Sequence, residues 1–177
     1  MRHPIAALCL ALAAALPGCT TLDPVTAARL SRLDPLTADP AALVARLHLP
    51  EGLAVAPGGA VLRLSARRED TGEALDEAYV LERRGAAWRL SAVDAAALRS
   101  VQHRIAGWKA EAPEASGGAL SLSLTGCATG AGPNPKGEVA ADLSLDGGTR
   151  FMPLLRGLTV AEITRAAGPG ATLGPCR

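Results

Sequence analysis

Few side chains in this 177-residue sequence are placed to carry out chemistry. Of its three histidines, His3 lies at the extreme N-terminus, and His48 and His103 fall on the polar sides of a predicted strand and a predicted helix. The sequence lacks the HxxxH and HExxH patterns that bring two metal ligands to one helical face. An enzyme would therefore need His48 or His103 to meet an acidic side chain in a cleft. We expect no catalytic, cofactor-binding or metal-binding residues.

Two further motifs of enzymes are absent or incomplete. A serine nucleophile on a strand-to-helix turn would need the motif G-x-S-x-G, which the sequence lacks. Ser121 and Ser123 alternate with leucines, as is typical of the solvent-exposed side of a strand. The loop 130–137, GAGPNPKG, is superficially similar to a phosphate loop. However, no Ser or Thr follows Lys136, and a predicted strand follows where a helix is required. We interpret this segment as a hairpin loop.

Charged residues gather on neighbouring predicted strands and on one turn. The acidic members do not have the spacing of a calcium loop, and they are Glu69, Asp70, Glu73, Asp76 and Glu77. The basic members are Arg63, Arg67, Arg68, Arg83, Arg84 and Arg89. We expect the two groups to pair across the surface. The alternative is a basic patch that binds anionic lipid headgroups or a partner.

The N-terminus has the form of a secretory signal. Arg2 precedes an apolar run over 5–16, which matches the ~7–15 residues of a signal peptide and falls short of the ~20 of a membrane span. The run ends in Leu16-Pro17-Gly18-Cys19, which resembles the lipobox of bacterial lipoproteins, with Pro17 departing from the usual small residue. The resemblance implies diacylation of Cys19, cleavage before it and N-acylation of the new terminus. In enterobacterial sorting, which this signal resembles, an Asp directly after the acylated Cys implies retention in the inner membrane. Thr20 stands at that position and implies the outer membrane.

The alternative is ordinary signal cleavage that leaves Cys19 as a thiol. If Cys9 leaves with the signal and Cys19 is acylated, Cys127 and Cys176 remain as an isolated pair in an oxidising compartment. Neither lies in a CxxC motif or beside a histidine, so a redox or metal site is not supported. We predict a disulfide between Cys127 and Cys176.

The composition excludes nucleic acid as a partner. Loss of residues 1–18 removes Arg2, one of the 18 basic residues. The 17 that remain equal the 17 acidic residues in number. Nucleic-acid binding depends on net positive charge against phosphates. Platforms on which bases stack need several aromatic side chains. The sequence has four, Tyr79, Trp88, Trp108 and Phe151.

Periodicity predicts an α+β fold. We expect a signal peptide over 1–18, an acylated cysteine and tether over 19–39, and a single domain over 40–177. Alternation of apolar and polar residues predicts about seven strands in one antiparallel sheet. The predicted strands are 43–49, where a short helix is the alternative, 60–67, 78–84, 87–90, 120–125, 139–145 and 151–155. Capping boxes at Ser91 and Thr159 predict one long helix, ending near 110, and one short helix, both packed on one face of the sheet. The predicted inner face of the long helix, at 3.6-residue spacing, consists of Ala97, Leu98, Val101, Ile105 and Trp108.

These features favour a non-catalytic envelope lipoprotein with a protein-interaction or structural role, held by acyl chains on Cys19 at the periplasmic face of the outer membrane. Its partner would be another envelope protein. The first alternative is a carrier that binds a lipid or small apolar ligand between sheet and helix. An envelope enzyme is the least favoured interpretation.

Overall fold

A computed structural model describes residues 38–168 and 170–177 of the chain. Within them lie eight strands, two α-helices and two short 3-10 helices, at Pro40–Ala42 and Pro113–Ala115. The helices are α1 (Ala92–Glu111) and α2 (Val160–Ala166). The strands are β1 (Val44–His48), β2 (Leu53–Arg68), β3 (Glu73–Val80), β4 (Glu82–Arg84), β5 (Ala87–Arg89), β6 (Ser116–Ala128), β7 (Glu138–Ser144) and β8 (Met152–Thr159). The predicted α+β class is confirmed.

The eight strands are antiparallel and close in number to the seven predicted, but they form two sheets, so the prediction of a single sheet is wrong. The five-stranded sheet has the order β4-β5-β1-β7-β8, and the three-stranded sheet has the order β3-β2-β6. The chain changes sheets at Leu81, which is buried and whose backbone N–H bonds the carbonyl of Ala60 at 2.8 Å. A single strand over 78–84 was predicted because alternation continues across Leu81, although the strand partners change there.

The strand β2 runs through a segment predicted to be a connection. Its register against β6 shifts between Val55 and Ala60, at the sequence APGG. Gly58 has a φ of +69°, a conformation that glycine adopts without steric cost. A Cβ at Gly59 would stand 2.8 Å from two carbonyl oxygens, those of Ala56 and Thr125. The glycines therefore allow a bulge where most residues would end the strand.

Helix α1 begins where its capping residues predict. The Ser91 side chain accepts a hydrogen bond from the Asp94 N–H at 3.0 Å, which satisfies one of the free donors of the first turn. Its inner face packs on the three-stranded sheet in one hydrophobic core with Leu64 and Ala60. The buried residues of that face are Ala95, Leu98, Gln102, Ile105 and Trp108.

Two details of helix packing differ from the prediction. Ala97, predicted on the inner face, is exposed, and Gln102 is buried because its side chain donates to the Ala38 carbonyl at 3.0 Å. Helix α2 opens with the predicted capping box of Thr159 and Glu162 and contacts β8. The two helices therefore pack on different sheets, and not on one face.

The predicted disulfide between Cys127 and Cys176 is present, with an S–S distance of 2.02 Å. Beside it, the Ala128 N–H donates to Gly174 and the Cys176 N–H donates to Ala128. The C-terminal tail is thereby joined to the end of β6. Neither helix of the described ranges is long and apolar enough to cross a membrane.

Candidate functional sites

An apolar cavity of about 290 Å³ lies between the two sheets. Both sheets contribute, with Leu62 and Leu122 on one side and Ala45, Trp88 and Leu143 on the other. Among the described residues the full lining is Ala38, Leu43, Val44, Ala45, Leu62, Leu81, Trp88, Leu90, Leu120, Ser121, Leu122, Leu143, Leu145 and Leu154. Ser121 is the one residue of that lining with a polar side chain. Such a cavity can hold an apolar group, but offers little to orient a polar one.

The cavity borders the unpaired edges of both sheets. Leu120 and Leu122 belong to β6, at the edge of the three-stranded sheet, and Leu154 belongs to β8, at the edge of the five-stranded sheet. In the described part of the chain no strand pairing joins β6 to β8. The cavity is therefore lined by one edge strand of each sheet.

A second candidate site lies on the opposite face of the five-stranded sheet. The His48 Nε2 lies 2.7 Å from one carboxylate oxygen of Asp142, and Arg156 donates to the other at 2.6 Å. The Asp142 side chain is 11% exposed and that of His48 is 52% exposed. Strand β1 carries His48, β7 carries Asp142 and β8 carries Arg156, so the cluster depends on the pairing of three strands.

The environment of Asp142 acts on its pKa in two directions. Burial alone would raise it, because a carboxylate loses hydration. The hydrogen bonds and charges of His48 and Arg156 outweigh burial and hold the pKa of Asp142 below its ordinary value. Asp142 is therefore a charged carboxylate at neutral pH, and its two oxygens hold the side chains of His48 and Arg156.

We expect Asp142→Asn to lower the free energy of unfolding by about 1.5–3 kcal/mol near neutral pH, the scale of hydrogen bonds to a charged group. Because the folded-state pKa of Asp142 is below the unfolded-state value, its contribution is complete above the unfolded-state pKa and is lost as pH falls through the folded-state value. The gap between variant and native protein should therefore close below about pH 4. Urea unfolding across this pH range measures it.

The matched control is Asp76→Asn. Asp76 receives both bonds of Arg63, at 2.8 and 2.7 Å, but both side chains are more than half exposed. An exposed pair contributes about 0–1 kcal/mol, so this variant should change the free energy of unfolding little. An Asp142→Asn effect that persists unchanged into strong acid would contradict the assigned cause.

The structure places the other sequence candidates apart from both sites. His103 is exposed on α1, Ser123 is exposed on β6, and neither lines a cavity. Four of the six basic residues singled out in the sequence form ion pairs within the described chain. Three of them, Arg63, Arg67 and Arg68, pair with the acidic turn as predicted, whereas the partners Glu82 and Glu111 lie outside that predicted group. These pairs are Arg63–Asp76, Arg67–Glu69, Arg68–Asp70, Arg68–Glu111 and Arg84–Glu82. Cys19 and its lipobox lie outside the described residues.

From the sequence, an enzyme would require His48 or His103 to meet an acidic side chain in a cleft. His48 does meet Asp142, yet their contact is on a sheet face and neither residue lines the apolar cavity. The hydroxyl of Ser144, on the same face, bonds Asp146 at 2.7 Å and the Gly148 N–H at 2.9 Å. In the described ranges, Asp142 is the hydrogen-bond partner of the His48 imidazole, and no hydroxyl group is bonded to it.

Sequence reasoning missed the partner of His48 and the cavity. Asp142 was visible only as a polar residue in an alternating strand, and the lining leucines only as the apolar sides of separate strands. No group of three or more His, Cys, Asp or Glu side chains suited to a metal ion occurs among residues 38–168 and 170–177. Comparison of the chain with models of protein families, with curated proteins and with solved structures gave no match.

Proposed function

We propose that this chain is a lipid-anchored envelope protein whose folded domain binds an apolar ligand of the acyl-chain class in the cavity between its sheets. The observation that carries the proposal is the cavity itself, about 290 Å³ with an almost wholly apolar lining. Small-molecule sites begin at about 300 Å³, and a dry apolar cavity of about 150 Å³ already binds benzene. The domain is assigned no catalytic step.

The volume limits the size of the ligand. At about 30 Å³ for each group the size of a water molecule, the cavity accommodates about ten methylene-sized groups. Burying each methylene contributes about 0.8 kcal/mol, so a chain of this length supplies useful affinity without a polar anchor. The scarcity of polar lining favours a hydrocarbon chain over a sugar, nucleotide or peptide.

The lipobox supports the anchor. Acylation of Cys19 would hold the protein at a membrane, since stable attachment takes more than one acyl chain, and Thr20 supports the periplasmic face of the outer membrane. A ligand-binding domain on such an anchor would work beside the source of acyl chains. Mass spectrometry of the mature protein should find Cys19 as the N-terminal residue, diacylated through its sulfur and acylated on its amino group.

We expect a chain-brominated fatty acid to quench Trp88, which lines the cavity, and to spare Trp108, which lies on the inner face of α1 and is not among the lining residues. These are the two tryptophans of the sequence, so Trp108→Phe and Trp88→Phe isolate each signal. The unbrominated acid controls for conformational change. Equal quenching of both tryptophans, or none, would contradict the proposal.

Ala45→Phe should weaken fatty-acid binding about tenfold or more, because the ring takes the space of two or more methylene groups of the ligand. Ala45 is a buried lining residue. The control, Ala78→Phe, adds the same ring at an exposed position of β3 and should leave affinity unchanged. A melting curve for each variant checks that it is folded.

The protein-interaction role favoured by the sequence is the second candidate, and one observation supports it. Strand β6 is an edge strand of 13 residues that contains no charged residue and no proline. Edge strands normally carry such residues to prevent pairing with other chains, and an open edge can add an extended strand from a partner. Co-purification after crosslinking in envelope extracts, compared between native protein and Ser123→Lys, tests this role.

A further inference from the structure

Two arginines of the five-stranded sheet are partly buried and have no acidic partner. They are Arg46 on β1 and Arg89 on β5. The third partly buried arginine of the described chain, Arg68, is held by both Asp70 and Glu111. Removing a guanidinium from water is unfavourable unless it is paired, so the exception at Arg46 and Arg89 requires an explanation.

Carboxylates do stand next to both arginines, but they are bound to other side chains. Asp142 is the cross-strand neighbour of Arg46, yet its two oxygens are held by His48 and Arg156. Glu82 is the cross-strand neighbour of Arg89, yet its carboxylate binds Arg84 at 2.6 Å. The two guanidinium groups are thereby left positively charged on the same sheet face.

The register brings the two arginines close together. Arg89 is opposite Val44 and Arg46 is opposite Ala87, so they are diagonal neighbours on one face of the β1–β5 pair. Diagonal residues in antiparallel strands stand about 7–8 Å apart, within reach of long side chains. Among the described strand residues, this face carries four arginines against three carboxylates, a balance of +1, and these are Arg46, Arg84, Arg89, Arg156, Glu82, Glu138 and Asp142.

Each arginine is held in place without being neutralised. The guanidinium carbon of Arg46 lies 3.7 Å from the centre of the Phe151 ring, a cation–π contact that orients the group and leaves its N–H edge free. The Arg89 Nε is buried and has no hydrogen-bond partner in the described chain. A buried donor without an acceptor is rare in native proteins, and a bound anion would satisfy it.

We propose that Arg46 and Arg89 form a binding site for a phosphate group on the outer face of the five-stranded sheet. Phosphate oxygens accept paired N–H bonds from guanidinium groups, and one phosphate has enough oxygens to serve both arginines. The cavity opens on the other side of the same sheet, where Ala45, Trp88 and Leu143 lie. The site is therefore independent of the acyl-chain proposal, and either can fail alone.

The test follows the side-chain Nε–Hε resonances of the arginines by NMR while inorganic phosphate is added to the full chain at constant ionic strength. The Arg89 and Arg46 resonances should shift and saturate with phosphate and remain fixed with chloride. Arg46→Gln and Arg89→Gln should each weaken phosphate binding about tenfold or more, as expected for losing hydrogen bonds to a charged group. The control, Arg104→Gln, removes the same charge from an exposed position on α1 and should leave the affinity unchanged.

A stability measurement separates a binding role from a structural one. Because Arg89 has no partner in the described chain, Arg89→Met should keep or raise the melting temperature of the phosphate-free protein. The same variant should lose the rise in melting temperature that phosphate gives the native chain. A lower melting temperature for Arg89→Met without phosphate would mean that Arg89 serves the fold, and would overturn the proposal.

The phosphate group bound at this site could belong to a lipid headgroup or to free phosphate, and a parallel titration distinguishes these two sources. Short-chain phosphatidylglycerol, kept below its critical micelle concentration, presents a lipid phosphodiester without a membrane surface. A response to it at lower concentration than to inorganic phosphate identifies a headgroup site, and the reverse identifies a site for free phosphate. If neither compound shifts the Arg89 resonance, or if Arg104→Gln weakens binding as much as Arg89→Gln, there is no specific phosphate site.

Discussion

The Leu98→Ala substitution is expected to lower the free energy of unfolding by about 2–5 kcal/mol, the range observed when a fully enclosed leucine is truncated. Leu98 is 0% exposed at the centre of α1. It packs in the core that joins α1 to Leu64 of the three-stranded sheet. The loss has two parts: the hydrophobic transfer free energy of the removed atoms, and the cost of the cavity that they leave. Equilibrium urea unfolding at neutral pH measures it.

Two further substitutions on the same helix calibrate that result. Ile105→Val, at a site 1% exposed, removes a single methylene and should cost about 0.5–1.5 kcal/mol. Val93→Ala, at a site 78% exposed, should stay within about 0.5 kcal/mol of the native protein. If Leu98→Ala were as mild as Val93→Ala, α1 would not be packed on the sheet as described.

The same core supports the proposed ligand site. Leu62, Leu81 and Leu90 belong to the core cluster and also line the cavity. Loosening the packing of α1 on Leu62 should therefore weaken fatty-acid binding as well as stability, even though Leu98 is not among the lining residues. A variant that loses stability but keeps native affinity would show that cavity and core respond separately.

Local signals in the sequence were sufficient to place most elements. Alternation over 43–49 predicted a strand with Arg46 and His48 on its polar side, and β1 has that form. The hydroxyl and acid spacings at Ser91 and Thr159 located the starts of both helices. These predictions succeed because periodicity and capping depend on residues only a few positions apart.

What the sequence could not supply is which strands meet. His48 and Asp142 are 94 positions apart, and no periodicity relates them. The change of sheet at Leu81 leaves alternation intact, so the division into two sheets, and with it the cavity, was not visible. Gln102 disrupted the predicted helix face for the same reason, since its partner is the distant Ala38 carbonyl.

Loss of the Cys127–Cys176 disulfide is expected to lower the free energy of unfolding by about 4 kcal/mol. The bond closes a loop with a sequence separation of 49, and in the chain-entropy model a loop of that length restricts the unfolded chain by about this amount. The loop contains β7, β8 and α2. The disulfide therefore constrains the strand that carries Asp142 as well as the C-terminal tail.

The Cys127→Ala, Cys176→Ala double variant measures this contribution by urea unfolding under oxidising conditions. Native protein treated with reductant should fall to the stability of the double variant, and the double variant itself should not respond to reductant. Hydrogen exchange provides a local readout, because the N–H groups of Ala128 and Cys176 bond across the tail junction. Both should exchange faster in the double variant, while amides in the centre of β1, outside the loop, should follow only the global loss of stability. Equal protection at the junction with and without the disulfide would mean that those backbone bonds, and not the covalent link, hold the tail.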